Sequence, residues 1–260
     1  MVMSMSTLLR NKPKPKEEEV ENIFQGNLCR CTGYRPILEG FKTFSKDEPC
    51  CMGSKCCKNQ TRNEEHVLDV AEPCDFVPVD TTQEPIFPPE LKISNGFGTK
   101  FLTFKSERVT WLRPVFLKDL LELKSKYPNA RIVIGNTAVG LDTKYRKAHA
   151  QVMIAATHVP ELHEVAVSDT GIHIGGAVTL ARFGEILTEA IENTTEYKYK
   201  VLVAMRGIVT GIAGHQIRNV ASLAGNILWA HHHSDLVPLL MATGSTITLI
   251  SKGVAREMLV

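Results

Sequence analysis

Ile132-Val133-Ile134-Gly135-Asn136-Thr137-Ala138-Val139-Gly140 is the stretch on which the fold turns. Arg131 to Ile134 predicts a buried strand, because a short unbroken apolar run stops at a glycine. A turn of small residues directly after a strand can converge several backbone N–H groups on one anion, such as a pyrophosphate. The glycine spacing does not match G-x-G-x-x-G, so a dinucleotide fold of the Rossmann kind is not supported. An ordinary strand and turn would account for the same residues.

Outward from this string, helical and strand patterns alternate as in an α+β or α/β domain. Pro114 opens a predicted helix with Phe116, Leu117, Leu120 and Leu121 on its apolar side. Val152 to Ile154 reads as a strand beyond the basic segment 144–147. Glu164 to Val167 and Gly171 to Ile174 read as a hairpin across Ser168-Asp169-Thr170. Leu180, Phe183, Ile186, Leu187, Ala190 and Ile191 recur at the helical period. Then come a helical stretch over 197–213, a loop over 221–234, a short helix from Asp235 and a strand from Thr246 to Ile250. The loop carries Ser222, Gly225, Asn226 and Ser234, with Asp235 following, and either Ser234 or Asp235 could cap the helix. The chain ends at Val260 in what reads as mid-strand.

Towards the N-terminus, residues 16–24 predict a helix with Val20, Ile23 and Phe24 on one face, and Gly26 can end it. Glu17, Glu18 and Glu19 in its first turn favour the helix dipole. A second short helix after Pro36 would bury Ile37, Leu38, Phe41 and Phe44. Between the two lies Cys29-Arg30-Cys31. Two thiolates one residue apart can reach a single metal or both irons of a small cluster, although reduced loop thiols give the same spacing. Residues 47–95 have poor periodicity and prolines at 73, 78, 85, 88 and 89, and read as a linker. Cys50, Cys51, Cys56, Cys57 and Cys74 read there as linker thiols, with zinc as the alternative. His231-His232-His233 reads as a solvated or pH-responsive loop rather than a metal site.

At 260 residues and 43% hydrophobic, the chain is long enough to bury a core. Its 30 basic and 28 acidic residues are dispersed, so no field would draw in nucleic acid or an anionic membrane. No apolar run approaches the roughly 20 residues that span a bilayer, and residues 1–11 lack the marks of a leader. A soluble, cytoplasmic protein is expected. Seven cysteines, all between 29 and 74, fit metal or redox chemistry better than a secreted disulfide framework.

The string Gly26 to Ile37, GNLCRCTGYRPI, resembles the second cysteine pair of the helical 2Fe-2S domain in the xanthine dehydrogenase and aldehyde oxidase family. The preceding VMSMSTLLRN and the cysteine-bearing linker fit the same family. The stretch 132–140 resembles the family's V-V-G-N-T-x-x-G loop, and 219–235 resembles S-V-A-S-L-G-G-N-I…S-D-L-N-P. The chain is identified as a member along essentially its whole length. The resemblance implies an α+β chain in three parts. Residues 1–46 would be the end of the helical 2Fe-2S domain, 47–95 a linker, and 96–260 an incomplete PCMH-type FAD-binding α/β domain of the vanillyl-alcohol oxidase kind.

By position, Ile132, Val133, Ile134, Gly135, Asn136, Thr137, Ala138 and Val139 would wrap the FAD phosphates. Ser222, Gly225 and Asn226 would touch the phosphates or the ribityl chain, and Asp235 would help hold the cofactor. Cys29 and Cys31 match cluster ligands. The family's other two come from a C-x-x-C pair ahead of the VMSM segment, so the 2Fe-2S site carried here is expected to be incomplete. In the family, a homodimer, a molybdopterin-bound molybdenum centre in a later domain hydroxylates a purine or an aldehyde. Electrons then pass through 2Fe-2S clusters to FAD and on to NAD or oxygen. This chain would supply the FAD-binding and electron-transfer portion, with no catalytic side chain and no molybdopterin of its own. The alternatives are a degenerate, non-catalytic fragment or an aldehyde oxidase-like parent. Three departures predict a weaker grip on flavin: Ala224 at a family glycine, Trp229 at a small hydroxyl, and Ile212 at the phenylalanine of Phe-Ala-Gly.

Overall fold

A computed structural model of the chain describes residues 1–45, 80, 82, 86–93, 96, 98–168, 171–193, 196–229 and 234–260. These fall into two units, Met1–Glu21 with Cys29–Ser94, and Asn22–Leu28 with Asn95–Val260.

The first unit contains α1 (Val2–Asn11), most of α2 (Glu17–Phe24), α3 (Arg35–Lys42) and the single turn α4 (Pro89–Ile93). Helix α1 was not foreseen in the sequence; its Met5 and the Val20 of α2 are fully buried. Glu19 ties α2 down at its start, accepting from the Lys16 backbone N–H at 2.7 Å and from Lys12 Nζ at 2.7 Å. That is the logic of a capping box, in which an acid inside the first turn satisfies a free N–H at the helix entrance. Lys42 closes α3 onto α2 through Glu21 at 2.8 Å. The stripe expected to be buried is only partly so. Ile37, Leu38 and Phe41 are half-buried, and Phe44 lies beyond the helix end with 51% of its surface exposed. An eight-residue helix leaves Phe44 out of line with the stripe. Helix α4 stands inside the stretch read as linker, with Pro89 at its first position, where a missing N–H costs nothing.

In the second unit a four-stranded sheet has the order β1-β2-β4-β3, built from β1 (Leu102–Lys105), β2 (Thr110–Arg113), β3 (Arg131–Val133) and β4 (Val152–Ala155). Strands β1 and β2 are antiparallel; β4 runs parallel to both β2 and β3, pairing Leu112 and Ile132 with Ile154. The helix expected from Pro114 begins instead at Leu117, as α5 (Leu117–Lys126), with Phe116 at the cap and 59% exposed. Its Leu120 packs with Ala130, Ile154, Ala156 and Val159 against the sheet. The strand read as buried is an edge strand, which leaves Ile132 44% exposed while Val133 is buried. Helix α6 (Val139–Tyr145) carries the chain from β3 towards β4.

The hairpin of β5 (Val165–Val167) and β6 (Ile172–Ile174) leads to α7 (Leu180–Glu192), α8 (Glu196–Gly211), α9 (His215–Arg218), α10 (Leu223–Trp229) and α11 (Leu236–Ala242). Thr179 caps α7 by accepting from the Arg182 N–H at 3.2 Å. The apolar face of α7 buries Leu180, Phe183, Ile186 and Leu187, each contributing about 1.5–3 kcal/mol. Leu180, Phe183 and Leu187 form one core with Val209, Leu223, Leu236 and Leu240. The stretch read as a loop over 221–234 holds α10 in its first half. A final hairpin pairs β7 (Thr246–Ser251) with β8 (Val254–Leu259). Among the described residues, no helix is long and apolar enough to cross a membrane.

Candidate functional site

The two glycine-bearing strings, far apart in sequence, meet at Gly135. A methyl group on Gly135 would lie 1.9 Å from the Val220 carbonyl oxygen and 2.5 Å from its carbon, so glycine alone permits this approach. Asn136 follows with φ of +56°, a left-handed conformation that asparagine tolerates better than most residues. Its carbonyl accepts from the Gly140 N–H at 3.2 Å, and that of Ala138 accepts from Asp142 at 3.0 Å, rolling the turn into α6. Among the described residues, no acceptor meets the backbone N–H groups from Gly135 through Val139. Such a run of free donors can serve as a nest for an anion.

The side chains of this string divide. Val133 is buried and Ile134 packs against the α5 core, so these two can offer a ligand only their backbone. Asn136, Val139 and Gly140 instead line a cleft of about 690 Å³, facing Trp111, Met153 and Lys144. A cleft of that size is within the range of small-molecule sites. Just before the string, Arg131 Nη2 donates to Asp142 Oδ2 at 2.9 Å, and Arg146 Nη1 reaches Asp142 Oδ1 at 3.4 Å.

The second string is strapped to residues 176–180. Leu180 donates to the Ala221 carbonyl at 2.8 Å, Leu223 to Val178 at 3.0 Å and Ala224 to Gly176 at 3.1 Å. Ser222 is buried, and its hydroxyl accepts from the Gly225 N–H at 3.1 Å, which makes it the cap of α10. Gly225 itself is exposed. Asn226 Oδ1 accepts from the Ser234 hydroxyl at 2.6 Å, and Ser234 Oγ accepts from the Val237 N–H at 3.3 Å. Of the two candidate caps, therefore, Ser234 binds the helix. Asp235 makes no cap bond; it is exposed and lines a second cleft of about 560 Å³ with Ile208, Gly211 and Pro238. Ser222, Gly225 and Asn226 thus lie along one strapped segment, and Asp235 is joined to it through Ser234 and Asn226.

The three departures have physical settings. The Ala224 methyl faces Gly176, where even an added methyl would lie 3.0 Å from it. Ile212 packs against the core of α7, α8 and α11. Trp229 ends α10 and is 41% exposed.

Some organising residues were missed in the sequence. Arg218, 7% exposed, donates through Nη1 to the carbonyls of Thr210, Ile212 and Ala213 at 3.0, 3.0 and 2.8 Å. It pins the turn that delivers the second string, including Ala213 at φ of +48°. Gln25 accepts at its side-chain oxygen from Arg218 at 3.4 Å and from the His215 N–H at 2.5 Å, and its carbonyl accepts from Gln216. Nothing in the sequence marks Arg218 as buried, since its partners are carbonyl groups rather than an acid. Asp142 had one cue, the spacing of four to Arg146, which places the two charges on one face of a helix.

Cys29 is half-buried and Cys31 exposed, both as free thiols. Thr32 Oγ1 lies 3.3 Å from Cys29 Sγ, and this hydrogen bond, with nearby backbone N–H groups, holds the Cys29 thiol below its usual pKa. Tyr34, at φ of +72°, folds back so that its hydroxyl accepts from the Cys29 N–H at 3.2 Å. The loop thus eases Cys29 towards thiolate, the form in which a cysteine binds iron. Among the described residues, no group of three or more His, Cys, Asp or Glu is gathered to hold a metal. Cys50, Cys51, Cys56, Cys57, Cys74 and His231 to His233 lie outside the described residues.

A family model described as the FAD binding domain in molybdopterin dehydrogenase matches residues 104–260. The chain belongs to this family. A second model, the [2Fe-2S] binding domain, matches residues 1–42, so FAD and a 2Fe-2S cluster are the cofactors of the two matched domains. Xanthine dehydrogenase/oxidase of Rattus norvegicus is 45% identical, over 98% of this chain and 20% of its own length. Xanthine dehydrogenase of Drosophila subobscura is 44% identical over 96% of this chain and 19% of its own. Aldehyde oxidase 1 of Bos taurus is 42% identical over 99% and 20%. The chain thus belongs with the xanthine dehydrogenase and aldehyde oxidase relatives and spans about a fifth of their length. Among solved structures, quinoline 2-oxidoreductase from Pseudomonas putida 86 superposes with a TM-score of 0.51 at 20% identity, covering 60% of this chain and 52% of that one. A carbon monoxide dehydrogenase from Hydrogenophaga pseudoflava gives 0.51 at 18% identity, with the same coverages. At these identities the likeness concerns the mixed helix and sheet fold alone.

Proposed function

We propose that this chain is the FAD-binding and electron-transfer portion of a xanthine dehydrogenase-like oxidoreductase. Residues 1–46 are assigned to the 2Fe-2S domain, 47–95 to a linker and 96–260 to the FAD-binding domain. The observation that carries the reading is the approach of Gly135 to Val220, which sets the free N–H groups of Gly135 to Val139 beside the strapped Ser222 to Asn226 segment. In this reading the first string, Ile132 to Val139, receives the FAD phosphates mainly through its backbone. Ser222, Gly225 and Asn226 meet the phosphates or the ribityl chain, and Asp235 helps hold the cofactor. Cys29 and Cys31 supply two of the cluster's thiolates. When bound, FAD would supply the electron chemistry, as an acceptor of single electrons from a cluster and a donor to NAD or oxygen. The protein's own residues bind, orient and shield it; none is assigned a proton-transfer step.

The parent enzyme is taken to act on a purine or an aldehyde at a molybdenum centre outside this chain, in a cytoplasmic homodimer. A degenerate polypeptide without cofactor is the second reading, favoured by Ile212, whose side chain is given to the core. The test is to mix the purified chain with excess FAD, remove free flavin by gel filtration and record the visible spectrum. Flavin absorption travelling with the protein is expected. A colourless protein whose melting temperature also ignores FAD refutes the first reading and favours the second.

A further inference from the structure

The nest formed by Gly135 to Val139 has few bonds of its own to keep its shape. Two backbone hydrogen bonds close it on the α6 side, from Gly140 to Asn136 and from Asp142 to Ala138. Asn136 at φ of +56° must be held in a conformation that a free loop seldom keeps. One side-chain tie spans it. Arg131, the residue before the string, donates to Asp142, in the first turn of the following helix, at 2.9 Å.

We propose that Asp142 is a positioning residue for the phosphate-binding loop, clasping Arg131 so that the intervening N–H groups stay converged before any ligand arrives. This rests on the flavin reading above. Asp142 is 7% exposed, and Arg131 keeps a third of its side-chain surface, so the pair is screened less than a surface ion pair. Arg146 occupies the second carboxylate oxygen from the next turn, at 3.4 Å. Both oxygens being engaged, and the charge being negative, Asp142 is no phosphate ligand. Electrostatics alone would place no carboxylate beside a phosphate nest, since its field repels the anion. Its value lies in removing the cost of ordering the loop when the ligand binds.

If charge were all that mattered, Asp142→Asn would tighten FAD; if the clasp matters, it loosens it. The purified chain and its Asp142→Asn variant are titrated with FAD and with riboflavin, which carries no phosphate. The expected result is about tenfold weaker FAD binding with riboflavin changed by less than about twofold. A general weakening of the fold would move both ligands together. Arg131→Lys, which keeps the charge but removes the guanidinium whose Nη2 reaches Asp142, provides a second variant if Asp142→Asn does not fold, and it is expected to shift FAD in the same direction. FAD binding that is unchanged or tighter, or a parallel loss of both ligands, overturns the clasp alone. A wild-type chain that binds no FAD overturns the flavin reading and the clasp with it.

Discussion

Replacing Gly135 by alanine puts the meeting of the two strings under direct strain. The added methyl would stand 1.9 Å from the Val220 carbonyl oxygen, whereas real Cβ contacts essentially never fall below 3.0 Å. The obstacle is backbone on both sides, so no side chain can swing away, and the segments must part by about 1 Å. Gly135 is not among the glycines with positive φ, so the cost is steric rather than conformational. Overpacking of this kind costs about 1–3 kcal/mol, and two stiff backbones put Gly135→Ala near the upper end. For a domain of this size that lowers the melting temperature by about 6–12 °C. Thermal melting followed by circular dichroism measures it. Gly207→Ala serves as control. Nothing lies within 4 Å of a methyl at Gly207, in the interior of α8, so that change should stabilise by about 0.5–1 kcal/mol. If Gly135→Ala melts within about 2 °C of the parent, the two strings do not meet as described.

Other changes have equally definite outcomes. Arg218→Met leaves the carbonyls of Thr210, Ile212 and Ala213 without their donor and should cost about 3 kcal/mol in urea unfolding; a loss below about 1 kcal/mol means the turn does not depend on it. Ala224→Gly should leave FAD affinity within about twofold, because the methyl it removes faces Gly176; a large gain would mean that methyl obstructs the ligand. Glu19 is held below its usual 4.5 chiefly by its bond to Lys12 and then by the Lys16 N–H. A depressed carboxylate stabilises fully above that value and loses its effect as pH falls through the lower, folded one. Glu19→Gln should therefore remove part of the acid-induced loss of helicity below pH 4.5, and a variant with an unaltered acid limb speaks against the capping role.

Helix α7 was legible because Leu180, Phe183, Ile186 and Leu187 recur over thirteen residues with no competing signal. Strand β7 and the β5–β6 hairpin were legible from alternation. Helix α10 was not: seven residues containing Gly225 and Asn226 show no period, and Ser222 read as a loop hydroxyl when it is a helix cap. Strands β1 and β2, four residues each, are joined through Ser106 to Val109 with neither glycine nor proline to mark the turn. At the candidate site, the turn of small residues after β3 could be read from residue types, but the need for glycine at 135 comes from Val220, and no local pattern encodes that distance. The burial of Asp142 and Arg218 was hidden for the same reason. A charge reads as solvated until its partner, on β3 for one and on three carbonyls for the other, is brought to it by the fold.

Flavin binding by this chain is tested most directly by the melting temperature of the purified protein against FAD concentration. At about a hundredfold excess over Kd, one bound FAD adds about 2.7 kcal/mol, a rise of about 5–10 °C for a domain of this size. A rise of this order that saturates at one flavin per chain is expected if the chain binds FAD. A melting temperature unmoved by FAD at any concentration contradicts that binding.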